Sequence, residues 1–229
     1  MTKLELAGLI NADLTPVEPI NERRGGWSGV YKLTSASTSM FLKRQCNHYY
    51  RRFCFKTPTL YREYRNYLAF AKLNIPTPEM LLYLQSGTTA IMITRLQPGL
   101  PIREWLNESP SIDQREQVLA KLGELLFRLH SHHRTHGCLY GKHIFIDSNN
   151  STMPVSLIDL EKARFCLRNK HGAIKDLSRL FRYTPELGHK DRIILTRLYC
   201  ERWPDFNEQL SQRINSDAVT RAQSRTNSH

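Results

Sequence analysis

Short alternating apolar runs predominate before residue 97 and helix formers after it, and this shift is the feature that most constrains the fold. Before it, short alternating runs read as strands: VYKL at 30–33 and MFLK at 40–43, joined by TSASTS, form an antiparallel hairpin. Two further runs, MLLYL at 80–84 and AIMIT at 90–94, flank the turn Gln85-Ser86-Gly87. Between these pairs, Leu60, Tyr64, Tyr67, Leu68 and Ala71 fall on one stripe of a helix that Pro76 and Pro78 should stop. After Gln97-Pro98-Gly99, helix formers take over. Ser111 and Gln114 make a capping box ahead of a long helix whose buried face is Val118, Leu122, Leu125, Leu126 and Leu129. A second apolar hairpin, IFI at 144–146 with VSLI at 155–158 around the turn DSNN, is followed by polar helices to Ile214. The pattern predicts an α+β chain of two lobes, a small β-rich N-lobe over about 1–95 and a helical C-lobe over about 97–215. A polar, aperiodic tail follows over 216–229.

Composition narrows the function. At 229 residues, with 40% hydrophobic and 24% charged residues, the chain is neither disordered nor a disulfide scaffold. Its five cysteines form no CxxC pair and are odd in number, so a reducing compartment suits it. Neither a signal-peptide core nor a run of about 18 apolar residues is present, so a cytoplasmic protein is expected. A net charge of +12 calls for an anionic partner: a nucleotide, a nucleic acid or an acidic membrane surface.

Four features, taken in order, point to phosphate chemistry. Gly25, Gly26 and Gly29 sit between two strands, where the absence of Cβ lets backbone N–H groups approach phosphate oxygens. Lys43 follows on the next strand, with Glu63 on the helix 20 residues later. Third comes HGCLYGKHIFI at 136–146, containing His136, Cys138, Lys142 and His143. Last, the strand LI at 157–158 delivers Asp159 at its end, where a hard cation shared with nucleotide oxygens would find it.

Together these features resemble a protein-kinase-like fold, and HGCLYGKHIFI is similar to the catalytic loop of the bacterial lipopolysaccharide core kinases, the heptose and Kdo kinases with their InaA-type relatives. The resemblance runs from about Arg23 to Asp176. It implies an ATP- and Mg2+-dependent phosphotransferase acting on a sugar hydroxyl of lipopolysaccharide core or its precursor. Gly25, Gly26, Gly29, Lys43 and Glu63 would bind the cofactor, Asp159 and His143 the metal, and His136, Cys138 and Lys142 would form the catalytic loop. Asp176 resembles the aspartate that braces this loop, and only 17 residues separate it from Asp159, which suits a small or glycolipid acceptor.

One position departs from the pattern: Cys138 stands where the family places its catalytic aspartate. Three readings stay open: an unusual kinase that works by positioning and charge, a non-catalytic nucleotide-binding pseudokinase, or a structural cysteine with a group such as Asp147 entering the site. The histidines His130, His132, His133, His136 and His143 also admit a zinc reading, though without two clean ligand pairs. Basic and aromatic residues interleave over Lys43 to Arg65. They fit an anionic glycolipid and peripheral contact with an anionic inner-membrane surface better than nucleic acid, for which no sequence motif is present.

Overall fold

Alternation in the first third of the chain builds a five-stranded antiparallel sheet. The computed structural model describes residues 14–23, 25–35, 38–52, 55–203, 211, 212 and 214; Arg24, Phe53, Cys54 and the tail expected from residue 216 lie outside them. In chain order the strands are β1 (Asn21–Arg23), β2 (Gly26–Ser35), β3 (Thr38–Cys46), β4 (Tyr49–Arg52), β5 (Phe55–Pro58), β6 (Met80–Ser86) and β7 (Thr89–Arg95). The sheet order is β1-β2-β3-β7-β6, with β4 and β5 forming a separate ribbon. The expected hairpin is present: Val30 pairs with Lys43 and Leu33 with Met40.

Cross-strand pairing puts Tyr31, Leu42 and Ile93 in one row on one face, where Leu14, Leu33, Met40 and Leu82 pack around them. Lys43 therefore projects from the opposite face, the side on which helix α1 (Thr59–Lys72) lies. The buried residues of α1 are Thr59, Leu60, Glu63, Asn66, Tyr67 and Phe70, whereas Leu68 and Ala71, expected in the apolar stripe, face solvent. The true stripe is rotated because it must carry Glu63 inward to Lys43. Nor do the prolines stop this helix. Asn74 does, at φ 51°, with Ile75 N–H returning to the Phe70 carbonyl at 3.0 Å.

The chain divides into two compact units, Met1–Ala69 with Pro78–Gln97, and Phe70–Thr77 with Pro98–His229. In the second unit, β8 (Leu100–Pro101) leads into α2 (Ile102–Asn107) and the long α3 (Ile112–Ser131). The capping box of α3 forms as expected: Ser111 accepts from Gln114 N–H and the Gln114 side chain accepts from Ser111 N–H. Its leucine stripe is buried from Val118 to Leu129, and Gly123 lets the backbone of the helix that carries Tyr199 approach. Next come β9 (Arg134–Thr135), a 3-10 turn over Gly141–His143, β10 (Ile144–Ile146) and β11 (Val155–Leu157), whose hairpin pairs Ile144 with Leu157. A second 3-10 turn (Leu160–Lys162), β12 (Arg164–Phe165), α4 (Asn169–Tyr183) and α5 (His189–Cys200) follow. Among the described residues, no helix is long and apolar enough to cross a membrane.

Candidate active site

The loop between β9 and β10 is suspended from one carboxylate. Asp176, wholly buried on α4, accepts from the backbone N–H of His136 through Oδ2 at 2.7 Å and from that of Gly137 through Oδ1 at 3.0 Å. His130, at the end of α3, donates its Nε2–H to Asp176 Oδ2 at 3.3 Å, and its Nδ1 meets the Tyr199 hydroxyl at 2.9 Å. Burial alone would raise the pKa of Asp176, but the hydrogen bond from His130 and the neighbouring donors outweigh it and hold the group below its ordinary value. Arg179, one turn along α4, donates to the Gly137 carbonyl at 2.6 Å. Gly137 itself turns at φ 78°, and a Cβ there would lie 2.4 Å from the Lys162 carbonyl oxygen, so only glycine fits.

His136 belongs to this frame. It is fully buried; its Nε2–H donates to the Ile158 carbonyl at 2.9 Å, and its Nδ1 accepts from Cys138 N–H at 3.3 Å. Both ring nitrogens are thus used within the loop, and burial lowers the pKa so that the ring is neutral. His136, expected among the catalytic residues, ties the loop to the strand end that carries Asp159.

His143 is held the same way one turn on. Its Nδ1–H donates to the Cys138 carbonyl at 2.8 Å, which leaves Nε2 as the unprotonated nitrogen of a ring whose pKa burial pushes down to about 4. That nitrogen lies 3.4 Å from Asp159 Oδ2. A nitrogen lone pair and a carboxylate oxygen facing each other at this distance form a donor pair that a cation would complete. Glu161, two residues after Asp159, brings a carboxylate oxygen within 4.8 Å of that of Asp159. Asp159 is the N-cap of its 3-10 turn in the left-handed region, φ 57° and ψ 66°, a conformation that costs a non-glycine residue about 1 kcal/mol and clusters at functional sites.

At the tip of the loop Cys138 is buried, its thiol directed at the Tyr140 hydroxyl 3.8 Å away. The Tyr140 ring packs edge-on against Tyr183 with centroids 5.0 Å apart, and its pKa is raised by burial first and by the Cys138 contact second. Gly141 N–H donates to Thr184 Oγ1 at 2.8 Å, which fastens the tip to the end of α4, while Lys142 is exposed. Asp147, considered as a substitute carboxylate, closes the β10–β11 turn through its backbone, its N–H donating to the Pro154 carbonyl and its carbonyl accepting from Asn150 N–H. With all of β10 between, it stands roughly 13 Å along the chain from His143.

In the first unit, Lys43 Nζ and Glu63 Oε2 are 2.7 Å apart, the carboxylate buried and the ammonium nearly so. Of the three glycines, Gly25 takes the turn between β1 and β2 at φ 76° with open space on its Cβ side. Gly26 and Gly29 lie within β2, and a Cβ at either would meet the Asn47 carbonyl at 2.4 Å or the Tyr31 ring hydroxyl at 2.6 Å. Close approach of the β3 end backbone, independent of any ligand, already requires glycine at 26, whereas at 29 the obstacle is the Tyr31 side chain of the same strand.

The zinc reading does not survive this geometry, because the five histidines do not converge. His132 engages the Arg128 carbonyl and His133 the Leu167 carbonyl, while His130, His136 and His143 serve the separate partners described above. Sequence reasoning missed Glu161 and the Tyr199–His130–Asp176 chain. Glu161 had a signal, since it stands two residues past the expected metal ligand, whereas nothing in the spacing of His130, Asp176 and Tyr199 announces a contact.

The profile of the lipopolysaccharide kinase (Kdo/WaaP) family matches residues 9–199. The chain belongs to that family. It is 27% identical over 186 residues to Protein InaA of Escherichia coli (strain K12), an alignment covering 76% of this chain and 86% of that protein. The crystal structure of an aminoglycoside-3'-phosphotransferase of type VIII superposes with a TM-score of 0.60 at 16% identity, covering 90% of this chain and 93% of the other. At that identity the likeness establishes the fold: a protein-kinase-like α+β architecture with an antiparallel sheet in its N-terminal part and helices after it. Membership of the Kdo/WaaP family and this fold make the chain a kinase-like phosphotransferase.

Proposed function

We propose that this member of the Kdo/WaaP family transfers phosphate from ATP, with Mg2+, to a sugar hydroxyl of lipopolysaccharide core or its precursor, in the cytoplasm. The observation that carries the reading is the loop frame: Asp176 fixes two successive N–H groups of HGCLYGKH, and this in turn aims His143 at Asp159. Such a frame has little purpose unless the loop must hold a defined geometry against a ligand.

In this reading Lys43, held by Glu63, binds the α- and β-phosphates beneath the turn at Gly25 and the glycines Gly26 and Gly29 of β2. Asp159 and His143, with Glu161, are the residues that would hold Mg2+; when bound, the ion supplies charge neutralisation to the phosphate oxygens. His136 keeps the loop in register, and Cys138 and Lys142 face the acceptor, the lysine offsetting charge on the transferred group. Because the transition state of phosphoryl transfer is loose, the acceptor hydroxyl gives up its proton late, and positioning and charge can carry a reaction without a carboxylate at Cys138.

The test is transfer of labelled phosphate from ATP to dephosphorylated lipopolysaccharide core. The wild type labels a sugar, and Lys43→Ala and Asp159→Ala each lose on the order of 10²-fold or more of the rate. Cys138 favours a second reading, a pseudokinase that binds nucleotide and regulates without turnover. Saturable ATP binding with no labelling of any core acceptor selects it.

A further inference from the structure

Between Asp159 and Asp176 the backbone is fastened while two large apolar side chains are held in water. β12 pairs with β9 through Arg164 with Thr135 and Phe165 with Arg134. Cys166 N–H donates to the His133 carbonyl at 2.7 Å, His133 Nδ1–H donates to the Leu167 carbonyl at 3.1 Å, and Gly172 N–H donates to the Arg168 carbonyl at 3.0 Å. A Cβ on Gly172 would lie 2.4 Å from a Thr135 methyl, so the segment also sits tightly on β9 at its far end. Yet Phe165 is 58% exposed and Leu167 77%. A segment tied at so many backbone positions cannot simply fold these side chains away, and their hydration is a standing cost that a partner would relieve.

The surroundings say what that partner is. Lys162, Arg164, Arg168 and Lys170 are exposed around the two apolar residues, and no Asp or Glu occurs from 162 to 175. Large apolar tips set among cations of one sign match the anionic interface of a bilayer, where hydrocarbon and negative headgroups lie a few ångströms apart. A nucleic-acid surface would instead stack bases on free aromatic faces. Leu167 offers none, and the Phe165 ring has the His133 ring beside it at 5.8 Å. The tyrosines of the first unit, another aromatic and basic region, pose no such demand, because Tyr61, Tyr64 and Tyr83 cover one another with ring centroids 4.6–6.2 Å apart.

We propose that residues 162–171 form a docking wedge for anionic lipid bilayers, in which Phe165 and Leu167 enter the interfacial layer and the flanking cations meet the headgroups. The wedge begins three residues after Asp159, so docking would bring a membrane-borne acceptor to the phosphotransfer site. That consequence rests on the proposed function, whereas the docking itself does not.

The full chain, without nucleotide, is sedimented with vesicles of phosphatidylcholine alone or mixed with phosphatidylglycerol at roughly seven parts to three. The expected result is binding to the anionic vesicles and little to the neutral ones. The double variant Phe165→Ser/Leu167→Ser should lose about tenfold or more of the partitioning, with its thermal midpoint unchanged. Arg164→Glu/Arg168→Glu should lose about fivefold or more per position and lose less as salt is added. Absence of binding to anionic vesicles, equal binding to both compositions, or wild-type binding by the double serine variant would overturn the wedge. So would capture of a single-stranded oligonucleotide that depends on the same two apolar side chains. Vesicle binding by a protein that does not bind ATP would leave the wedge standing and remove the phosphotransfer reading alone.

Discussion

The two ends of the loop from His136 to His143 obey different rules. At its base, Asp176, His130, His136 and Gly137 form a closed set in which the carboxylate meets three hydrogen-bond donors. At its tip, the Cys138 thiol meets the Tyr140 hydroxyl, while its backbone N–H donates to His136 Nδ1 and its carbonyl accepts from His143 Nδ1–H. The base can be kept or lost only as a whole, since removing one partner leaves buried donors unsatisfied. The tip can change its chemistry without disturbing the frame. This contrast separates a frame that the fold itself needs from a position whose side chain can vary within it.

The sharpest way to break the comparison is to remove the base. Asp176→Asn keeps the shape but takes the charge from a buried acceptor of two N–H groups and a histidine, and should destabilise the protein by roughly 3–5 kcal/mol. In thermal unfolding the midpoint should fall by roughly 10 °C. A change of only a degree or two would mean that the frame is not the structural centre claimed here.

A pH titration probes the same frame without mutation. His143 is pushed down from 6.5 to about 4 and His136 is shifted the same way, so between those values the unfolded chain binds protons that the folded chain refuses. Stability is therefore full above about pH 6.5 and falls as the pH drops toward 4, by about 1.4 kcal/mol per pH unit from His143 alone. Denaturant midpoints measured between pH 7 and 4 check the slope. His143→Asn, whose amide can take the place of Nδ1–H and still donate to the Cys138 carbonyl, should flatten it.

Much of this arrangement was legible in the residues. The pairing of residues 30–33 with 40–43, the capping box at Ser111 and the buried leucines of α3 follow from period and cap chemistry, which are local. The α1 stripe was misjudged at Leu68 and Ala71 for a reason that is itself functional. A helix that buries Glu63 for Lys43 has a polar residue in its inward face, and a reading by hydrophobicity alone rotates that face toward the apolar positions. His130 was legible only as the end of an amphipathic helix, because its partners Asp176 and Tyr199 lie 46 and 69 residues away. The exposure of Phe165 and Leu167 could not be read either, since apolar residues beside a short strand ordinarily count toward the core.

The smallest expected effect concerns the tip. Cys138→Asp introduces the carboxylate next to the Tyr140 hydroxyl, and should raise the transfer rate by about tenfold while leaving the thermal midpoint within a few degrees. An unchanged rate would place the limit elsewhere than proton removal. A large loss of stability would show that tip and base are not independent.

The central claim, that the family's nucleotide site works in this chain, is tested most directly by calorimetric titration of ATP with and without Mg2+ on the wild type and on Asp159→Ala. The account predicts wild-type binding that Mg2+ strengthens, and loss of that strengthening when the carboxylate facing His143 is removed. No ATP binding under either condition, or the same response to Mg2+ in the variant, would contradict it.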